Sequence, residues 1–175
     1  HDLAAIAQMS TFLSRIPFLH FFDGFRTSHE INKINLMSDD DLRTLMDGIP
    51  MDFTVKHALT PENPTIRGTA QNPDIFFQTK EAANQYYNAV PGIVEECMRK
   101  FEKIVGRSYH IVDYVGPADA EHVVVAMGSG VEVLEETAHA LNAKGAKYGV
   151  ISVHLYRPFP TEAILKTLPA TNKYI

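Results

Sequence analysis

The chain has 175 residues, 45% of them apolar, with a formal net charge of −5 and one cysteine. That acidic balance argues against a general nucleic-acid surface, and no lysine/arginine block suggests a membrane patch. The lone thiol, Cys97, precludes an intrachain disulfide and any all-cysteine cluster or zinc site, and no apolar run approaches the roughly 20 residues that span a bilayer.

In chain order, Leu3, Ile6, Ala7, Met9, Ser10 and Leu13 share one helical face, which predicts a helix from His1 to Ser14. Pro17 bars its continuation, and Phe18-Leu19-His20-Phe21-Phe22 reads as a short, buried strand. Asp23-Gly24 ends that strand, and Phe25-Arg26-Thr27-Ser28-His29-Glu30 comes next as a dense polar loop. Ligands of open α/β sheets collect beyond the carboxyl ends of strands, so Arg26, Thr27 and His29 are candidates for the edge of a binding cleft. The competing reading is structural: Asp23 pairs with Arg26, while Ser28 or Thr27 caps the next turn. Ser38 then opens a helix, with Asp39, Asp40 and Asp41 in its first turn and Leu42, Leu45 and Met46 as its buried stripe.

From Gly48 to Pro73 four prolines interrupt a stretch with little periodicity, the texture of an extended connector. Arg67-Gly68-Thr69-Ala70-Gln71-Asn72-Pro73 within it could serve as a recognition loop, but a solvated or packed linker is the better reading. Lys80 to Val105 reads as a long amphipathic helix, kinked or split at Pro91, with Ala83, Tyr87, Ile93, Val94, Cys97, Met98, Phe101 and Ile104 as candidate core. Cys97 on that face is a buried, inert thiol rather than a nucleophile. Tyr109 to Tyr114 alternates as a strand does.

The stretch from Glu121 to Pro160 organises the chain. His122 to Met127 is a β-branched apolar run of the kind buried on both faces in parallel sheets. Gly128-Ser129-Gly130 breaks it, a helix runs from Val131 to Ala143, and Tyr148 to Leu155 is the next strand. Strand, helix, strand at this length is a right-handed βαβ crossover, so the fold class is α/β with a parallel sheet. A glycine turn opening a helix can hold a phosphate. The dinucleotide fingerprint, however, wants a third glycine where Val133 stands and an acid where the strand ends in His154, Leu155, Tyr156 and Arg157. A tight structural turn is the better reading. A short helix, Thr161 to Leu168, and a strand beginning at Asn172 complete the series. Both ends fall inside predicted elements, so the expectation is a piece of a longer polypeptide. The eight histidines show no metal-ligand spacing, and there is no P-loop or Gly-x-Ser-x-Gly. Nothing reads as a signal peptide, and the thiol content suits a cytoplasmic or otherwise reducing compartment.

Four blocks in order carry a resemblance: Pro17-Phe18-Leu19-His20-Phe21-Phe22-Asp23-Gly24-Phe25-Arg26-Thr27-Ser28-His29-Glu30, Arg67 to Ile75, Val123 to Ser129, and Leu155-Tyr156-Arg157-Pro158-Phe159. They resemble segments of the pyruvate:ferredoxin (flavodoxin) oxidoreductases, a 2-oxoacid oxidoreductase family, and of the related pyruvate:NADP oxidoreductase fusion. The resemblance implies that 1–47 ends a first, pyrimidine-binding domain, that 48–73 is a linker, and that 74–175 belongs to a second domain similar to the carboxyl-terminal domain of transketolases. It implies an enzyme that oxidatively decarboxylates pyruvate to acetyl-CoA and passes electrons to ferredoxin or flavodoxin, as a homodimer with thiamine diphosphate, Mg2+ and 4Fe-4S clusters. A hydrogenosome or mitochondrion-related organelle is the expected compartment if the source is eukaryotic. The family's catalytic, coenzyme-A, cluster and diphosphate/metal residues are expected before His1 or after Ile175. Residues 1–175 would then hold no catalytic or metal-binding residue and bind no cofactor alone, serving the remaining domains as scaffold and interface. Two other classes stay open: a nucleotide-binding module and a non-catalytic assembly module.

Overall fold

The computed structural model describes residues 1–64 and 70–175. In order, the elements are α1 (Asp2–Ser14), α2 (Arg26–His29), α3 (Asp39–Met46), α4 (Asp52–Lys56), α5 (Pro73–Val105), β1 (Val112–Val115), β2 (His122–Ala126), α6 (Gly130–Asn142), β3 (Tyr148–Val153) and α7 (Thr161–Thr167). They form two compact units: His1–Leu19 with Met37–Val105, and His20–Leu36 with Gly106–Ile175.

The first unit is helical. α1 stops where Arg15 turns left-handed (φ 60°) and returns its N–H to the Thr11 carbonyl, two residues before Pro17 forbids another turn. α1 and α3 both pack on α5. Ile6 and Met9 of α1, Leu45 of α3, and Val90, Val94, Cys97, Met98 and Phe101 of α5 are the buried apolar residues of that packing. Ser38 and Asp41 form a capping box at the start of α3: each side chain answers the other's backbone N–H. At the far end of α3, Lys100 Nζ donates to the carbonyls of Leu45 (2.8 Å) and Asp47 (2.6 Å), a cation where the helix dipole is negative.

α5 starts at Pro73 rather than Lys80 and runs unbroken through Pro91. Pro73 sits in the first turn, where a missing N–H costs nothing, and the Asn72 carbonyl takes the N–H groups of Ile75 and Phe76. Pro91 removes only one donor, and the buried turns from Val90 onward hold the helix on. The connector is not wholly extended, because α4 lies within it; Arg67, Gly68 and Thr69 fall outside the described residues.

The second unit is built on a three-stranded sheet of order β1-β3-β2. β2 and β3 pair in parallel, His122 opposite Tyr148 through Ala126 opposite Ser152, and α6 connects them. That is the crossover the apolar runs and glycine turn predict. The sheet is mixed rather than parallel throughout, since β1 pairs antiparallel with β3, Val112 opposite Val153. The cause is the short link from β1 to β2, which has no room for a crossover helix and so reverses the chain. Nor is β2 buried on both faces: Val123 is buried, but Val124 and Val125 are each 38% exposed. Beyond its paired edge, β2 meets only Tyr174, in a parallel bridge to His122, so the predicted strand at Asn172 is a single bridge among the described residues. Phe18 to Phe22 is not a strand. Apolar patterning is present there, but no neighbouring strand supplies a ladder, and Leu19 (85%) and Phe22 (77%) are exposed. No described helix is long and apolar enough to cross a membrane.

β3 is the sheet's buried centre, and α6 covers it with Val131 and Ala138 against Val150. Gly149 lets the Tyr114 ring of β1 lie against the backbone, where its hydroxyl reaches the Pro117 carbonyl at 2.7 Å. A Cβ at position 149 would stand 2.6 Å from Tyr114 Cε2. Gly149→Ala should therefore destabilise the chain by about 1–3 kcal/mol, as overpacking does, read as a lower urea midpoint at unchanged slope. An unchanged midpoint would show that the ring is free to move aside.

Candidate functional site

Because β2 and β3 are parallel and β1 is antiparallel, the carboxyl ends of β2 and β3 and the start of β1 share one end of the sheet. Two polar constellations sit there, both within the second unit.

The first joins the polar loop to the glycine turn. Gly128 takes φ 78°, a left-handed conformation suited to glycine, and turns β2 into α6. A Cβ there would lie 2.6 Å from Asp23 Oδ2. Asp23 occupies this space because its carboxylate caps the helix: Oδ2 accepts the Ser129 N–H at 2.7 Å and the Ser129 hydroxyl at 2.6 Å. Thr27 extends the chain by donating to Ser129 Oγ at 3.1 Å. The Ser129 hydroxyl and N–H hold the Asp23 carboxyl below its ordinary value, so it is the anion that the positive end of α6 receives. A nucleotide phosphate would have to displace this carboxylate. Of the sequence candidates, Thr27 belongs to the capping network, while Arg26 and His29 are exposed on α2. Asp23 bonds Ser129 rather than Arg26. Phe25 takes φ 51° and ψ −111°, a strained conformation for an aromatic residue. Ser28 Oγ donates to its carbonyl at 2.8 Å, and His29 Nδ1 bonds the same oxygen.

The second constellation escapes sequence reasoning. Asp113 lies between two imidazoles, 2.8 Å from His110 Nδ1 and 3.3 Å from His154 Nδ1. His154 Nδ1 also faces the His110 carbonyl at 2.7 Å. With two acceptors before it, Nδ1 carries the proton and leaves Nε2 toward the Ser152 hydroxyl, 3.4 Å away. Burial pushes His154 down, but the bonds to Asp113 and to the His110 carbonyl outweigh it and leave it above its ordinary value. Burial likewise pushes Asp113 up, and hydrogen bonds from His154 and His110 leave it below. The spacings His110-x-x-Asp113 and Ser152-x-His154 were available signals, yet only strand register brings them together. The bonds to Asp113 and to the His110 carbonyl favour the protonated form of His154. The cluster is not a nucleophile–base pair, because Ser152 is buried and its contact is long. Among the described residues no three or more His, Cys, Asp or Glu converge to hold a metal. Cys97 is buried, and burial raises its thiol.

Two outcomes test this geometry. The raised His154 contributes stability that is complete below its unfolded value of 6.5 and lost as pH rises through the folded value. The depressed Asp113 contributes above its unfolded value of 3.8 and loses that contribution as pH falls through the folded one. Thermal midpoints should thus decline from about pH 6.5 upward, and His154→Gln should flatten that decline. At the other constellation, Asp23→Ala should speed hydrogen exchange at the Ser129 amide and through the first turn of α6, with Asp23→Asn intermediate. Unaltered exchange in Asp23→Ala would mean that water serves as the cap.

Residues 1–99 match the family described as pyruvate flavodoxin/ferredoxin oxidoreductase, thiamine diphosphate-binding. Residues 120–175 match pyruvate:ferredoxin oxidoreductase core domain II. The chain is 52% identical over 174 residues to the pyruvate:ferredoxin oxidoreductase of Moorella thermoacetica, which covers 99% of the chain and 15% of that protein. It is 49% identical to the pyruvate-flavodoxin oxidoreductase of Klebsiella pneumoniae, again across 99% of the chain and 15% of the relative. It is 47% identical to the mitochondrial NADP(+) pyruvate dehydrogenase of Euglena gracilis, covering 100% of the chain and 10% of that protein. The chain thus spans about 15% of the length of the first two relatives.

Proposed function

The chain belongs to the pyruvate flavodoxin/ferredoxin oxidoreductase family, and on that premise we propose that it is a structural segment of an enzyme that oxidatively decarboxylates pyruvate to acetyl-CoA and passes the electrons to ferredoxin or flavodoxin. The observation that carries the proposal is close to half identity along essentially the whole chain to relatives named as pyruvate:ferredoxin and pyruvate-flavodoxin oxidoreductases. Thiamine diphosphate supplies the electron sink for decarboxylation in such an enzyme.

In this reading the described residues do not by themselves supply a diphosphate–metal cradle. The positive end of α6 is filled by the Asp23 carboxylate, and among the described residues no group of three or more His, Cys, Asp or Glu is placed so that it could hold a metal ion. One buried thiol cannot supply the four ligands of a typical iron–sulfur cluster. In this proposal thiamine diphosphate, Mg2+ and the 4Fe-4S clusters are therefore held by other parts of the full enzyme. What residues 1–175 contribute is framework and interface for those parts. The β2–α6–β3 crossover supports a second domain similar to the carboxyl-terminal domain of transketolases. Arg26 and His29, exposed on a loop whose base is pinned by Asp23 and Thr27, form the edge of the cofactor cleft or of the interface that closes it.

The test uses the longer polypeptide that contains this chain. Pyruvate- and coenzyme-A-dependent reduction of a viologen dye is the expected activity. Arg26→Ala should lower kcat/KM for pyruvate or coenzyme A by about tenfold or more, roughly 1.4 kcal/mol, with little change in thermal midpoint. A variant that unfolds several degrees earlier while its folded fraction turns over normally would make the loop a structural cap only. Absence of pyruvate-dependent turnover in the unmodified polypeptide would overturn the assignment of the reaction.

A further inference from the structure

The long helix α5 is apolar along one stripe, yet only half of that stripe is covered. Phe76, Ala83, Tyr87, Val90, Val94 and Cys97 succeed one another at intervals of seven, four, three, four and three, the spacing of a helix–helix seam. Val90, Val94 and Cys97 are buried, at 1–3% exposure, in the half that packs with α1 and α3. Phe76 (49%) and Tyr87 (41%) are open, and Ala83 is only partly covered. The reason is length. α5 has 33 residues, about 50 Å at 1.5 Å per residue, whereas α1 has 13 and reaches about 20 Å. Between residues 73 and 89 only Asp74, Lys80 and Glu81 are charged. Lys80, four residues after Phe76 and three before Ala83, is the one charged residue at a seam position, and its Nζ lies over the Phe76 ring, 5.3 Å from the centroid; a lysine at a single such position sets register at some cost in stability.

We propose that the open half of this seam docks a helix supplied by the part of the same, longer polypeptide that lies outside residues 1–175. The face is continuous with one that already takes a helix of this chain in its packed half. The relatives carry most of their length outside the matched segment, which spans about 15% of each. A helix tethered in the same polypeptide meets the stripe at an effective concentration of order millimolar, which a free second copy does not reach. The four–three spacing suits a helix lying close to parallel with α5 rather than the flat face of a sheet. The proposal rests on the family reading only for the existence of that longer polypeptide.

Hydrogen exchange of the full-length polypeptide tests it, with residues 94–101 as internal reference. Amides at 76–87 should be protected to within about tenfold of the reference at every protein concentration. Ala83→Lys should lower protection at 76–87 and in one segment outside 1–175 by about a hundredfold, leaving 94–101 unchanged. Tyr87→Ser is the gentler second variant, and Gln78→Lys, on the opposite side of α5, should alter nothing. Fast exchange at 76–87 in the unmodified protein would overturn the proposal, as would protection that grows with concentration, the sign of a second copy. Turnover is not read in this experiment, so failure of the enzymatic assignment would show separately.

Discussion

The second unit depends on one constraint: β3 is a buried strand whose backbone groups have no water to turn to. Every residue from Tyr148 to Ser152 pairs with β2, and Val150 to Val153 pair with β1 on the other side. Burial makes each of those bonds obligatory, because an orphaned peptide group inside a protein costs about as much as a lost hydrogen bond. Once β3 is held this way, the rest has little freedom. Tyr114 must lie over Gly149, α6 must cover Val150, and Ser152 and His154 must meet the start of β1.

That same end of the sheet shows how one local pattern can serve opposite chemistries. A glycine turn feeding a helix N-terminus is a ready anion site. Here the anion is the protein's own: Asp23, 106 residues away in sequence, with two bonds to Ser129. The result is a loop-to-helix clasp. Its consequence is spatial, since it fixes the base of the segment bearing Arg26 and His29 while leaving both exposed. Phe25, strained at φ 51°, is held in place by Ser28 and His29 bonding to its carbonyl.

Burial is unfinished elsewhere. Leu19, Phe22, Phe25, Ile31 and Leu36 are exposed in the stretch from 19 to 36, and the first turns of α5 expose Ile75, Phe76 and Phe77. Large exposed apolar patches are characteristic of interaction surfaces and binding grooves. The relatives carry most of their length outside the segment that this chain matches, which is about 15% of each.

The sequence by itself determined what is local. Period-3.6 stripes placed α1, α3 and α6 to within a residue or two, Ser38 announced its capping box, and the β-branched runs flanking Gly128 marked a parallel strand pair joined by a helix. It marked Arg26, Thr27 and His29 as a cluster, because polar density beyond an apolar run is visible in a window of ten residues. What it did not contain was partnership. Phe18 to Phe22 has the composition of a strand, but a strand exists only with a neighbour to bond, and no such ladder forms there. The antiparallel entry of β1, the capture of Ser129 by Asp23 and the pairing of Asp113 with His154 join residues distant in sequence. Such pairings are set by which surfaces the whole fold brings into contact. Local propensity cannot encode them, so only the tertiary structure decided them.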